Sequence, residues 1–183
     1  MIYSNEWLHE QIAEEKRLKY LYFWGHRPRG DGKANASCLS QWFKAGFTHE
    51  GIHYPTAEHW MMAGKAKLFG DEDVLAKIQQ TDNPAVAKKL GREVKGFDVA
   101  VWEQEMVGIV TEGSYLKFNQ NPELKEWLLT TGNKILVEAS PFDNIWGIGL
   151  RTEEAEQVGP EGWKAYNWLG WCLMEARDRI RQE

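Results

Sequence analysis

Hydrophobic positions along the chain recur mostly at helical spacing, and short aromatic or aliphatic runs between them read as strands. Ser4 to Lys19 is a capped amphipathic pattern with Trp7, Leu8, Ile12 and Leu18 inward. Tyr20-Leu21-Tyr22-Phe23-Trp24 is aromatic and strand-like. Arg27 to Ala36 is polar, contains Gly and Pro, and reads as a solvated loop; its Arg27, Arg29 and Lys33 would also suit it to meet phosphates. Leu39 to Phe43 and Gly51 to Tyr54 are short strand candidates, with a turn at Thr48 to Gly51.

Helical signals then dominate. Pro55 favours an extended Tyr54, and Thr56 is an acceptable N-cap for a helix that runs to Phe69 and stops at Gly70. Asp71 to Gln80 is a second helix. Asn83-Pro84 places a cap before a proline at the first helical position, and that helix runs to Gly91 with Lys88 and Lys89 in its last turn. Asp98 caps the longest pattern, Val99 to Asn119, with Val101, Trp102, Met106, Ile109 and Val110 on one face. Asn121-Pro122 repeats the device and starts a helix ending near Gly132. Lys134 to Glu138 is the clearest buried strand. The turn Ser140 to Asn144 and the short run Ile145 to Leu150 follow it. A last helix, Trp163 to Arg179, turns Trp168, Trp171, Cys172 and Met174 inward. With no internal repeat or linker, the pattern predicts a single mixed α+β domain, predominantly helical with a small sheet. Residues 1–19 are expected to form a helical extension and residues 20–183 the domain.

Composition sharpens this in three places. At 183 residues the chain is long enough for one real core and short for two. Ten tryptophans are more than such a core ordinarily holds, and imply a large core, an aromatic-lined pocket, or both. The net charge of −5 supplies no overall positive field, so bulk nucleic-acid binding is not expected. Cys38 and Cys172 match no metal or redox spacing and read as reduced thiols. The N-terminus has no apolar run of signal-peptide length, and no stretch approaches the roughly 20 apolar residues that span a bilayer. The expected location is cytoplasmic, with no membrane partner.

The chemistry concentrates in two stretches. Glu58, Met62 and Lys65 follow an i, i+4, i+7 spacing, so they share one helix stripe over about 10 Å of rise. That is too far for a simple ion pair but suits two walls of one small-molecule site; alternatively the helix is half-buried with its charges outward. The second stretch is Glu138-Ala139-Ser140-Pro141-Phe142-Asp143-Asn144-Ile145-Trp146-Gly147-Ile148-Gly149. A buried strand here delivers a loop with Glu138, Asp143, an aromatic, and glycines at Gly147 and Gly149 that permit close backbone approach. The alternative is a tight turn with Trp146 in the core. His49, His53 and His59 have no metal-ligand spacing, and neither a nucleophile elbow nor a Walker loop is present.

Ordered blocks of the chain carry a family resemblance. They are Tyr22-Phe23, Leu39-Ser40-Gln41-Trp42-Phe43, Tyr54 through Lys65, Leu90-Gly91-Arg92, Trp102, Lys117-Phe118, Leu128 through Gly132, and Glu138 through Gly149. In these, over roughly Tyr20 to Arg179, the sequence resembles the YbiA-like family, also called NADAR, which is linked to NAD and ADP-ribose metabolism. It differs at Gln41-Trp42, where many members have Asn then an aromatic; this bears on substrate preference more than on fold.

The resemblance implies an N-glycosidase with no metal or cofactor. One branch hydrolyses phosphorylated ribosylaminopyrimidine intermediates of riboflavin synthesis, and another removes ADP-ribose from modified guanine. Both substrates join ribose C1 to an exocyclic nitrogen that still carries a proton, so the sugar can open to an imine. The resemblance implies Lys65 as the nucleophile of a Schiff-base route and Glu58 or Asp143 as proton carriers. In direct hydrolysis a carboxylate would activate water and Lys65 would only bind. Phe23, Trp102 and Trp146 are implied to stack on the base, with Glu138, Ser140, Gly147 and Gly149 as further substrate-binding positions. A non-catalytic nucleotide-sugar sensor is the remaining alternative, disfavoured by the presence of both Glu58 and Lys65.

Overall fold

Capping side chains set most helix starts. In the computed structural model, which describes residues 1–183, Ser4 accepts from the Trp7 amide and opens α1, Asn5–Ala13. Thr56 does the same for α2 (Ala57–Leu68), Asp71 for α3 (Glu72–Gln79), Asn83 for α4 (Pro84–Arg92) and Asp98 for α5 (Val99–Asn119). Asn121 does not cap α6, Pro122–Thr130; its amide instead donates to the carbonyls of Gly46 and Lys117, at 3.1 and 2.7 Å. Two further helices complete the set, α7 (Thr152–Val158) and α8 (Trp168–Arg181).

The strands form two separate pairs. β1 (Tyr20–Phe23) runs parallel to β4 (Ile135–Glu138), with Phe23 opposite Glu138, and β2 (Phe47–His49) forms a hairpin with β3 (Ile52–Tyr54). The second edge of β4 has no strand beside it. There the buried Asn167 side chain accepts from the Glu138 amide and donates to the Leu136 carbonyl, both at 3.0 Å. This leaves no open ladder at the strand that carries Glu138. The fold is α+β, with α8 packed over β4 and against α5, and with α2 against α3, α4 and α5. The core runs through all of these, and α1 joins it by inserting Leu8.

Local departures from the expected pattern have visible causes. α1 stops at Ala13 because residues 14 to 17 are all exposed and Glu15 takes a left-handed φ of 55°. Leu39 to Phe43 is not a strand. Asn35 caps a short turn of 3-10 helix over Ala36–Leu39, and the buried Lys117 ammonium takes the carbonyls of Cys38 and Ser40, at 2.6 and 2.8 Å. Those carbonyls therefore face a side chain, not a neighbouring strand. The last helix begins at Trp168, after the left-handed Asn167 (φ 54°), not at Trp163. Val101, expected inward on α5, is exposed, while Met106 and Val110 are buried. α7 has only Ala155 buried, too little hydrophobic pattern to announce a helix. No helix is long and apolar enough to cross a membrane.

Candidate active site

The stripe on α2 faces a cavity of about 180 Å³. Glu58, Met62 and Lys65 line one side of it, and α4 adds Lys88 and Arg92. Trp102 comes from α5, Glu138 from the end of β4, and Asp143 and Trp146 from the loop beyond. The two stretches singled out in the sequence, about 80 residues apart, thus meet across one space.

Glu58 is buried on the first turn of α2, where its amide donates to the Gln41 carbonyl at 2.9 Å. Burial pushes its carboxyl up to about 7; Lys88, a hydrogen bond from the Trp42 side chain and Arg92 oppose the rise, and the Asp143 charge adds to it. Glu138 is pushed to about 8, again first by burial and then by Asp143, with Lys88 opposing. Its Oε2 is buried without a hydrogen-bond partner. Both groups therefore hold protons near neutral pH, where an ordinary glutamate holds almost none. Asp143 folds its own loop: Oδ1 accepts from the amides of Ile145 (2.9 Å) and Trp146 (2.7 Å).

Lys65 forms no ion pair. Its Nζ lies 4.0 Å from the centroid of the Phe97 ring and 5.7 Å from that of Trp102. Burial lowers its pKa, because removing water disfavours the ammonium. An amine eased towards neutrality thus shares a cavity with carboxyls eased towards protonation.

Not every expected position reaches this cavity. Phe23 is 3% exposed and belongs to the core, and Ser140 is buried outside the cavity lining. Gly147 and Gly149 close the loop on itself. A Cβ on Gly147 would lie 2.9 Å from the Glu138 carbonyl oxygen, and Gly149 has φ +69°. Their space is taken by protein, not left for a ligand. His59 is buried with Nδ1 paired to the Thr56 hydroxyl, and His49 packs edge-on to Trp60. No group of three or more His, Cys, Asp or Glu side chains is arranged to hold a metal.

The sequence reading missed other members of the lining. Lys88 and Arg92 are spaced i, i+4 on α4, but Lys88 read as a last-turn complement to the helix dipole and Arg92 stood only within a block of the family resemblance. Gln41 and Trp42 were expected in a strand, and reach the cavity because Lys117 turns the chain there. The Lys88 ammonium stands 5.8 Å from the Trp42 ring centroid. Phe97, the nearest ring to Lys65, sits in a loop whose contacts no pattern announces.

The sequence profile of the NADAR domain matches residues 22–181. "N-glycosidase R617" of Acanthamoeba polyphaga mimivirus is 42% identical over 169 residues, which cover 90% of this chain and 98% of that protein. "N-glycosidase YbiA" of Escherichia coli is 31% identical over 134 residues, covering 73% of this chain and 75% of that one. The NMR structure of the E. coli protein YbiA shares the fold, with a TM-score of 0.69 and 24% identity over 91% of this chain and 88% of that one. A maize protein, "Riboflavin biosynthesis protein PYRR, chloroplastic", is 32% identical over 134 residues, which cover 69% of this chain but only 20% of the maize protein. The chain belongs to the NADAR domain family and is an N-glycosidase.

Proposed function

We propose that the protein cleaves the bond between ribose C1 and the exocyclic nitrogen of a phosphorylated ribosylaminopyrimidine, with Lys65 as nucleophile and Glu58 as the principal proton donor. The observation that carries this reading is the unpaired, desolvated Lys65 amine in the same cavity as two carboxyls raised towards neutrality. The small cavity favours a substrate of one sugar and one ring over a longer one. Lys88 and Arg92 supply positive charge for its phosphate. The maize relative's name adds a link to riboflavin synthesis.

In this reading, Glu58 donates a proton to the ring oxygen as the exocyclic N–H is lost to a carboxylate, giving an open-chain imine at C1. Neutral Lys65 adds to C1. A proton delivered to the exocyclic nitrogen lets the C1–N bond break, releasing the free aminopyrimidine and leaving an iminium on Lys65. Water adds to that iminium, and collapse of the carbinolamine returns the amine and releases ribose phosphate as its aldehyde. One water is consumed per turnover. Asp143 passes protons between Glu58, the leaving nitrogen and the water.

The test offers the purified protein the ribosylaminopyrimidine phosphate with and without borohydride. Ribose phosphate release, with a reduced adduct on Lys65, is the expected result. Turnover without any adduct would remove the Schiff base and leave direct hydrolysis.

A second reading, removal of ADP-ribose from guanine, has its own support. Trp24 (54% exposed) and Phe142 (79% exposed) form an aromatic pair with ring centroids 6.0 Å apart. Phe142 adjoins Asp143, and Trp24 precedes the exposed Arg27 and Arg29. Such a rim suits a second base beyond the cavity. Release of ADP-ribose from modified guanine, without turnover of the pyrimidine, would replace the first reading with this one. Inertness of folded protein towards both substrates would favour a sensor.

A further inference from the structure

Gln41 is an expensive residue to bury as it stands. It is 9% exposed in the cavity wall, and neither the oxygen nor the nitrogen of its side-chain amide has a hydrogen-bond partner. Its position is set entirely by the backbone. The Gln41 carbonyl accepts from the Glu58 amide at 2.9 Å, and the preceding carbonyl, that of Ser40, accepts from Lys117 at 2.8 Å. The backbone thus ties Gln41 to the first turn of α2, and its side-chain amide stands in the cavity wall with both its donor and its acceptor unused.

The chemistry of that head restricts what can satisfy it. A phosphate or carboxylate brings acceptors only and would set an oxygen against Gln41 Oε1. A cation would use Oε1 and leave Nε2 unpaired. Only a neutral group with a donor and an acceptor side by side engages both atoms at once. A ribosylated base offers two such groups, the lactam edge of the base (ring N–H beside C=O) and the vicinal hydroxyls of the ribose. The neighbouring Trp42 ring lines the same cavity and provides a flat wall along which such a group can lie.

We propose that Gln41 is a specificity-determining residue that selects substrates by pairing with an adjacent donor and acceptor on their neutral portion. This rests on the N-ribosyl substrate proposed above and states what the site requires of it. Sites built to hydrogen-bond a ligand reject analogues lacking the matching groups far more strongly than apolar pockets reject a missing methylene.

The experiment compares the wild-type full chain with Gln41→Met, which keeps the length and removes both polar atoms. Each is given the parent ribosylaminopyrimidinone phosphate, an analogue methylated on the lactam nitrogen, and a 2-deoxyribose analogue. Wild type should prefer the parent over one analogue by about 1,000-fold or more in kcat/KM. Gln41→Met should lose that preference by falling on the parent while staying within a few-fold of wild type on that analogue. The analogue at which discrimination vanishes identifies the group read, lactam or diol. The melting temperature of the ligand-free variant should not fall, since no protein group hydrogen-bonds the amide. Binding of the products, free aminopyrimidinone and ribose phosphate, followed by tryptophan fluorescence, repeats the comparison without turnover. If wild type cleaves none of the substrates, the reaction proposed above fails while binding still decides the role of Gln41. Equal losses on all three substrates, unchanged selectivity and product binding, or a lowered melting temperature would each overturn the proposal.

Discussion

Replacing Glu138 with glutamine keeps the shape of the side chain at the end of β4 and removes a proton-binding group. In the folded protein that carboxyl is raised from 4.5 to about 8. A raised folded-state value means the native state holds a proton that the unfolded chain has already released. The contribution to stability is therefore complete below about pH 4.5 and is lost as pH rises through about 8. At full value the difference amounts to roughly 5 kcal/mol. Because Asp143 and Glu58 supply part of it and lie in the same cavity, a measured change of about 2–4 kcal/mol is expected. Glutamine has no proton to lose, so Glu138→Gln should match wild type within about 1 kcal/mol at pH 5 and exceed it by about 2–4 kcal/mol at pH 9. Urea unfolding at pH 5, 7 and 9 reads this directly, since the titrating groups not coupled to Glu138 cancel in the difference. The stabilised protein should also be a poorer enzyme, as expected where a functional group is held at a cost in stability. A stability difference constant with pH, or a variant less stable than wild type at pH 9, would refute the assignment of a buried, protonated Glu138.

Three further outcomes follow from the same geometry. Lys65→Ala and Asp143→Ala should keep native circular dichroism and lose turnover by at least about 100-fold; near wild-type rates in both would move the chemistry elsewhere. With Glu58 raised to about 7 and neutral Lys65 also required, kcat/KM should stop rising as pH climbs through about 7, because ionisation of the proton donor offsets the gain in free amine. Activity that still rises from pH 7.5 to 9.5 would exclude a protonated carboxylic acid from the rate-determining step. Lys117→Met strands the buried carbonyls of Cys38 and Ser40 and should cost about 2–4 kcal/mol in denaturant unfolding. Unchanged stability would mean the ammonium does not hold that turn.

Why some of this was legible and some not comes down to the range of the interactions. Thr56, Asp71, Asn83 and Asp98 act within four residues of themselves, so their helix starts could be read from neighbours alone. The stripe of Glu58, Met62 and Lys65 is equally local, because helical geometry decides which residues share a face. What the stripe faces is not local. Phe97 beside Lys65 and Lys88 beside Trp42 are contacts between elements; no local pattern marks Phe97, and Lys88 has a sufficient local explanation as a dipole complement. The same limit misplaced Phe23, Gly147 and Gly149. An aromatic on a strand reads alike whether it faces a ligand or a core, and a glycine permits close approach whether a substrate or the Glu138 carbonyl comes near. Gln41 shows the limit most clearly. The turn that directs it inward depends on Lys117, whose Nζ bonds to carbonyls 77 and 79 residues back along the chain. Taken without that contact, Leu39 to Phe43 reads as a short strand, which would have spent the backbone carbonyls on a neighbour. Because the lysine takes them instead, the segment bends and the Gln41 amide is carried into the cavity with its hydrogen-bonding groups unused.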